Sequence, residues 1–204
     1  MKTLIVTDIQ NDFLPGGALP VPRGDEVVPV ANRLMDQFER VVATQDWHPA
    51  SHESFASQHP GRRVGEVILL RGRPQILWPD HCIRETPGAD FAPGLARQKI
   101  DHIIRKATSR QIDSYSAFFD NDHIRATGLE ELLKREGVDD LSLIGLATDY
   151  CIKFTALDAA ALGFRTTVLL EGCRGIERQA GDIERAIAEM RSAGVDVVPP
   201  SEGE

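Results

Sequence analysis

Four apolar runs of this chain are each followed by side chains that can take part in catalysis. The first precedes Asp8, the second Asp46 and His48, the third Lys106, and the fourth Cys151. If these runs are parallel strands, their carboxyl ends meet at one edge of a sheet, where open α/β sheets place their ligands. A thiol, an acid, an ammonium and candidate metal ligands in one crevice predict an enzyme.

Cys151 has the surroundings of a nucleophile. It follows the small residues of Gly-Leu-Ala-Thr and opens the predicted helix Ile152–Leu162. Thr148 or Asp149 is placed to cap that helix, and its free N–H groups would favour a thiolate. Nucleophilic cysteines of low pKa are common at such positions. The alternative is a buried structural cysteine, which is the interpretation that we prefer for Cys173.

A thiol nucleophile needs a base and a suitable charge nearby. Asp8 is predicted to take the thiol proton, and Lys106 to keep that carboxylate ionised and to stabilise the thiolate. Taken singly, Asp8 reads as a turn acid and Lys106 as a surface ammonium. Their shared position with Cys151 at one sheet edge predicts an Asp-Lys-Cys triad.

Asp46 and His48 are candidate metal ligands, because alternate residues of an extended segment point to the same side. His81 is the best third ligand, whereas His52 is a ligand, an outer-sphere group or a bystander. One carboxylate and two imidazoles suit Zn²⁺, Fe²⁺ or Mn²⁺ in a site that keeps water ligands.

Two aromatic side chains lie near these residues in sequence. Phe13 comes five residues after Asp8, and Trp78 comes three before His81. Both are expected to line the pocket, with a place in the apolar core as the alternative.

The elements that position these residues follow a β-α-β-α rhythm. The predicted strands are rich in Val, Ile and Leu and lack alternation, which is typical of parallel strands covered on both faces: Leu4–Val6, Val41–Thr44, Ile103–Arg105, Leu141–Leu146, Thr167–Leu170 and Val195–Val198. The predicted helices are Val27–Glu39, Leu129–Arg135, Ile152–Leu162 and Ile183–Ser192. The pattern indicates a doubly wound α/β sheet. Residues 49–94 break it and read as a long functional excursion over the sheet edge.

Length and composition favour one domain spanning residues 1–204. A net charge of -8 without a basic stripe argues against nucleic acid as a partner. The apolar run before Asp8 is too short for a signal peptide, and no run reaches the length of a membrane span. The three cysteines do not form a disulfide framework, so a cytoplasmic location is expected.

These residues resemble a known family in order and approximate spacing. The matching tracts are Asp8-Ile-Gln-Asn-Asp-Phe13, Asp46-Trp-His-Pro49, Trp78-Pro-Asp-His-Cys82, Lys106, Ile112-Asp-Ser-Tyr-Ser-Ala-Phe-Phe119 and Gly145-Leu-Ala-Thr-Asp-Tyr-Cys151. Together they are similar to the nicotinamidase/pyrazinamidase group of the isochorismatase-like hydrolases. The resemblance implies a six-stranded parallel sheet with helices on both faces. It also implies hydrolysis of nicotinamide, and of pyrazinamide, through a cysteine thioester in NAD salvage.

The resemblance also implies roles for particular residues. Asp8 would be the general base, Cys151 the nucleophile and Lys106 their charge partner. A divalent metal, Zn, Fe or Mn, would be held by Asp46, His48 and His81, with His52 and Ser54 as possible outer-sphere groups. Phe13 and Trp78 would sandwich the substrate ring, and Tyr150 would help to shape the pocket. A cis peptide at Leu146–Ala147 would aim the N–H groups of Ala147 and Cys151 at the oxyanion. Relatives range from monomers to larger rings, so a homo-oligomer is one option.

Other functions fit the sequence less well. An N-carbamoyl or ureidoacrylate-type amidase on the same scaffold would keep the triad but generally lack the metal cluster. A true isochorismatase would not need Cys151. A catalytically dead metal-binding or partner-binding module would have lost a triad member, and a redox thiol protein would be expected to carry Cys-x-x-Cys.

Overall fold

The six predicted apolar runs form the strands of one parallel sheet. The computed structural model describes residues 1–200. Its strands are β1 (Lys2–Thr7), β2 (Arg40–Asp46), β3 (Val67–Leu70), β4 (Arg73–Ile76), β5 (His102–Lys106), β6 (Asp140–Leu146), β7 (Arg165–Arg174) and β8 (Asp196–Val198). The main sheet has six strands in the order β5-β2-β1-β6-β7-β8, and each pair in it is parallel.

Both faces of this sheet are covered, as the missing alternation predicts. Along β1, Leu4 and Val6 pack into one apolar core and Ile5 into the other. The first core includes helix α1 (Val27–Met35), and the second includes α2 (Leu129–Arg135), α3 (Lys153–Ala161) and α4 (Asp182–Ser192). The predicted doubly wound α/β fold is confirmed.

Three helices differ from their predicted bounds, α4 only in beginning one residue earlier, at Asp182. Helix α1 ends at Met35 and not at Glu39, because the next N–H groups turn back to the carbonyls of Leu34 and Met35 and bring the chain to β2. Helix α3 begins at Lys153, after a π-helical turn at Thr148–Ile152. A π-turn inside a helical segment is rare and is often found at a functional site.

The excursion between β2 and β5 contains a hairpin that the sequence analysis missed. Strands β3 and β4 pair antiparallel, and both residues of the turn between them, Arg71 and Gly72, have positive φ. Positive φ at both central residues is the geometry of a type I′ hairpin turn. The apolar run of β3 has only four residues, which is why it did not stand out from the loop around it.

Isolated β-bridges join distant parts of the segment that follows β2. His48 pairs with Ile83, and Phe55 pairs with Trp78. These bridges bring distant segments beside the carboxyl ends of the strands. Among the described residues, no helix has the length and hydrophobicity needed to cross a bilayer.

Candidate active site

Three of the predicted residues meet at the carboxyl edge of the sheet. Asp8 follows β1, Lys106 ends β5, and Cys151 lies in the π-turn after β6. The Lys106 Nζ lies 2.9 Å from Asp8 Oδ2 and 3.4 Å from Cys151 Sγ. Strand polarity alone therefore brings acid, ammonium and thiol together.

Lys106 is a buried ammonium surrounded by acceptors. Its Nζ donates to Asp46 Oδ1 at 2.5 Å and to the Ser114 carbonyl at 2.8 Å, besides its contact with Asp8. Burial by itself lowers the pKa of Lys106, but the carboxylates of Asp46 and Asp8 outweigh it and raise the pKa well above its ordinary value. Lys106 therefore stays charged inside the protein.

Burial dominates the protonation of Cys151. It raises the pKa of the thiol well above its ordinary value, and the nearby charge of Lys106 does not cancel that rise. This is opposite to the thiolate expected at a helix N-terminus. Within the described chain no side chain caps this turn, because the Asp149 carboxylate instead accepts the backbone N–H groups of Ile176 and Glu177 at 2.9 and 2.8 Å. Cys151 is thus a thiol that needs a base.

Asp8 is the nearest candidate for that base. Burial raises its pKa, with the charge of Lys106 opposing the rise. Its other oxygen, Oδ1, accepts a hydrogen bond from Thr44 Oγ1 at 2.6 Å. A carboxyl whose pKa is raised is a better proton acceptor once it is ionised.

The second group of predicted residues is Asp46, His48 and His81. One candidate ligand atom from each lies within 4.8 Å of the others, and all three side chains are buried. Asp46 Oδ2 lies 4.0 Å from His81 Nε2, while the other His81 nitrogen is held 2.7 Å from the Pro79 carbonyl.

These residues fit a divalent metal ion. In the described chain, His48 Nδ1 is buried without a hydrogen-bond partner, which is costly unless something binds it. Burial lowers the pKa of His81 to about 4, so its imidazole is neutral, as a metal ligand must be. One carboxylate and two imidazoles are a ligand set that several divalent ions accept.

His52 and Ser54 pair with each other beside this cluster. The His52 Nδ1 lies 2.8 Å from Ser54 Oγ, and the His52 ring packs 4.7 Å from that of His48. His52 also belongs to a second buried group with His48 and Asp113. The role of His52 therefore stays a prediction.

A small cavity lies between the two groups. It is narrow and partly open to solvent, and its lining includes Phe13, Asp46, Trp78, His81, Ala147, Tyr150 and Cys151. The Phe13 ring lies 5.5 Å from the His81 ring, and the Trp78 ring lies 5.1 Å from the Tyr150 ring. The peptide Leu146–Ala147 is cis. The cavity is thus walled by aromatic rings and lies next to the Cys151 thiol.

The sequence analysis missed a residue that holds Asp46 in place. The Gln10 side-chain amide donates to the Asp46 carbonyl at 2.9 Å, and its oxygen accepts the Asp46 N–H at 2.8 Å. Its position between Asp8 and Phe13 is the feature of the sequence that could have indicated a role for Gln10 at the site.

Two further residues were missed in the tract 112–119. Asp113 Oδ1 lies 3.4 Å from His48 Nε2, and the Tyr115 hydroxyl accepts a hydrogen bond from Trp78 Nε1 at 3.0 Å. Both line the cavity. The tract was recognised only as a motif, because nothing local showed which side chains turn inward.

A family model for the isochorismatase domain matches residues 2–199. The chain belongs to the isochorismatase family. Within that family, the nicotinamidase of Escherichia coli (strain K12) is 48% identical over 197 residues, covering 95% of this chain and 92% of that protein. A solved nicotinamidase/pyrazinamidase structure from Acinetobacter baumanii shares 45% identity with a TM-score of 0.94, covering 97% of this chain and 95% of that one.

A third relative of this isochorismatase-family protein was solved with a metal. The pyrazinamidase of Pyrococcus horikoshii in complex with zinc is 38% identical with a TM-score of 0.78, covering 97% of this chain and 98% of that one. The predicted resemblance to nicotinamidases and pyrazinamidases is confirmed.

Proposed function

We propose that this protein is an amidohydrolase that converts nicotinamide to nicotinate and ammonia, and pyrazinamide to pyrazinoate and ammonia. The observation that carries the proposal is the buried Lys106 ammonium, which contacts Asp8, Asp46 and Cys151 beside a cavity lined by aromatic rings. Relatives named nicotinamidase support the choice of substrate. We also propose that it acts in the cytoplasm, in NAD salvage.

Cys151 and Asp8 would carry the covalent chemistry. Cys151 Sγ attacks the carboxamide carbon while its thiol proton passes to Asp8. The C–N bond then breaks, and Asp8 returns the proton to the departing nitrogen, which leaves as ammonia. Water cleaves the resulting thioester; Asp8 accepts a proton from that water and passes it to Sγ, which releases the acid and restores the thiol.

Lys106 would balance the charges of this cycle. Its ammonium lies near both the acid and the thiol, so it favours the ionised form of each against the effect of burial. The backbone N–H groups of Ala147 and Cys151 are our candidates for the donors to the oxyanion. One such donor typically contributes roughly 3 kcal/mol to lowering the barrier.

The remaining residues would bind and orient the substrate. Asp46, His48 and His81 would hold one divalent ion, Zn, Fe or Mn. When bound, that ion supplies a Lewis-acid position for the ring nitrogen of the substrate. Phe13 and Trp78 would contact the ring faces, and Tyr150 would close the side of the pocket.

The test is ammonia release from nicotinamide by purified protein, before and after chelation and after metal is added back. Turnover that disappears on chelation and returns with metal is the expected result. No turnover with any of the three metals would overturn the proposal. Carbamoyl and ureido substrates would then be assayed, because a metal-independent amidase on the same scaffold is the alternative.

A further inference from the structure

Arg178 lies outside the cavity, on the loop between β7 and α4, yet it contacts the cavity wall. Its guanidinium lies over the Trp78 ring, 5.7 Å from the ring centroid. Its Nη2 donates to the Gly65 carbonyl at 2.7 Å. The side chain does not line the cavity itself, so any effect on the substrate passes through its neighbours.

Trp78 is held by several side chains around its indole. The Tyr115 hydroxyl accepts its Nε1–H at 3.0 Å, and the Tyr150 ring meets it edge-on at 5.1 Å. Arg178 adds a charged group over the indole, an arrangement that attracts the cation to the ring. Burial raises the pKa of the Tyr150 hydroxyl, and the nearby Arg178 opposes that rise.

Gly65 lies at the base of the β3–β4 hairpin. Its N–H donates to the Leu77 carbonyl at 2.7 Å, so the Gly65 strand end lies beside the residue that precedes Trp78. Gly65 has a φ of +88°, and a Cβ there would lie 3.4 Å from the Arg178 Nη2. The positive φ, which L side chains rarely adopt, is the reason that glycine suits this position, since the Cβ itself would only touch the guanidinium. One side chain therefore joins the hairpin base, the cavity wall and the loop before α4.

We propose that Arg178 is a positioning residue for substrate binding, because it holds Trp78 against the cavity where a flat, neutral aromatic carboxamide would lie. The inference rests on the proposed function for the identity of the substrate. Within the part of the chain that the structure describes, Arg178 makes no hydrogen bond to Lys106 or to Cys151. Its removal should therefore change KM and leave kcat nearly constant.

The kinetic test compares Arg178→Met and Arg178→Lys with Arg185→Met. Arg185 is a matched control, because it lines the same surface depression as Arg178 but pairs with Asp182 instead of touching Trp78. Arg178→Met is expected to raise KM for nicotinamide roughly threefold to tenfold, because only part of the stabilisation from one cation–π contact and one hydrogen bond to the wall reaches the substrate. Arg178→Lys should recover part of the loss, and Arg185→Met should match the parent. A fall in kcat at constant KM, or an equal effect of Arg185→Met, would overturn the proposal.

A second readout needs no turnover. The chain has two tryptophans, so Trp78 is the single emitter on a Trp47→Phe background. Arg178→Met should shift its emission to the red and increase its quenching by acrylamide, while Arg185→Met should do neither. Unchanged emission and quenching in Arg178→Met would refute the positioning role. Because this arm works without catalysis, absence of nicotinamide turnover in the parent would count against the proposed function and not against the role of Arg178.

Discussion

The two groups of side chains at this site are built in different ways. Asp8, Lys106 and Cys151 each follow or end a strand of the main sheet, so the register of parallel strands places them. The histidine cluster instead lies on the excursion, where local contacts such as that between His81 and Pro79 orient each ring. The strand-end group depends on a balance of buried charges, whereas the histidine group has buried atoms that a ligand would satisfy.

The largest expected effect is a loss of activity without a loss of fold in the strand-end group, which consists of Asp8, Lys106 and Cys151. Cys151→Ala removes the proposed nucleophile and should lower turnover at least roughly 10⁴-fold, while far-ultraviolet circular dichroism stays unchanged. Cys173→Ala is the matched control, since Cys173 is also buried but packs in the apolar core that includes α2, α3 and α4. Ammonia release by metal-loaded Cys151→Ala at the parent rate would rule out the nucleophile assignment.

Lys106→Met tests the charge balance directly. It leaves the carboxylates of Asp8 and Asp46 buried without their cation, so the free energy of unfolding should fall by about 3–5 kcal/mol. Lys134→Met is the control, because the Lys134–Glu130 pair is exposed and such pairs contribute less than about 1 kcal/mol. Urea titration measures both changes. Equal losses in the two variants would show that the buried ammonium has no special structural role.

His48→Ala addresses the histidine group. The substitution should weaken metal binding by more than the roughly 10- to 100-fold that is typical of changes outside the ligand set. It should also raise KM, with little change in the free energy of unfolding. His59→Ala is the control on the same excursion, since His59 bonds the Glu53 carbonyl outside the cluster. Metal content by elemental analysis, together with KM, checks both variants. Parent-like metal content in His48→Ala would exclude it as a ligand.

The smallest effect concerns pH. Burial raises the pKa of Asp8 above the ordinary value of an aspartate, so Asp8 is protonated over a wider acidic range than an ordinary carboxyl. If Asp8 must be ionised to act as the base, kcat/KM should fall by about tenfold per pH unit below this raised pKa. The acidic limb of the pH profile should therefore lie above the range in which an ordinary aspartate titrates. In His48→Ala the acidic limb of kcat/KM should lie at the same pH as in the parent. If it shifts in this variant, the limb belongs to a group other than Asp8.

Strand polarity made the strand-end group predictable from sequence. Asp8, Lys106 and Cys151 follow apolar runs, and the carboxyl ends of parallel strands share one edge. The predicted protonation state of Cys151 was wrong. The prediction considered only the helix N-terminus, whereas the pKa of the thiol is raised by burial that the whole fold creates.

The excursion was harder to predict. Tyr115 contacts Trp78 across 37 residues of sequence, and Asp113 contacts His48 across 65. Neither separation follows a helix or strand period, so no pattern in the sequence indicates these pairs. The hairpin was missed for a related reason, since its strands of four residues gain their neighbours only in the folded chain.

The central place of β1 has a consequence for the order of biosynthesis. β1 pairs with β2 on one side and with β6 on the other, so its second edge has no partner until Leu146 has been synthesised. At ordinary translation rates this wait lasts on the order of ten seconds. The nascent chain therefore carries an open apolar strand edge during this interval, which we expect to be the stage at which a chaperone matters most.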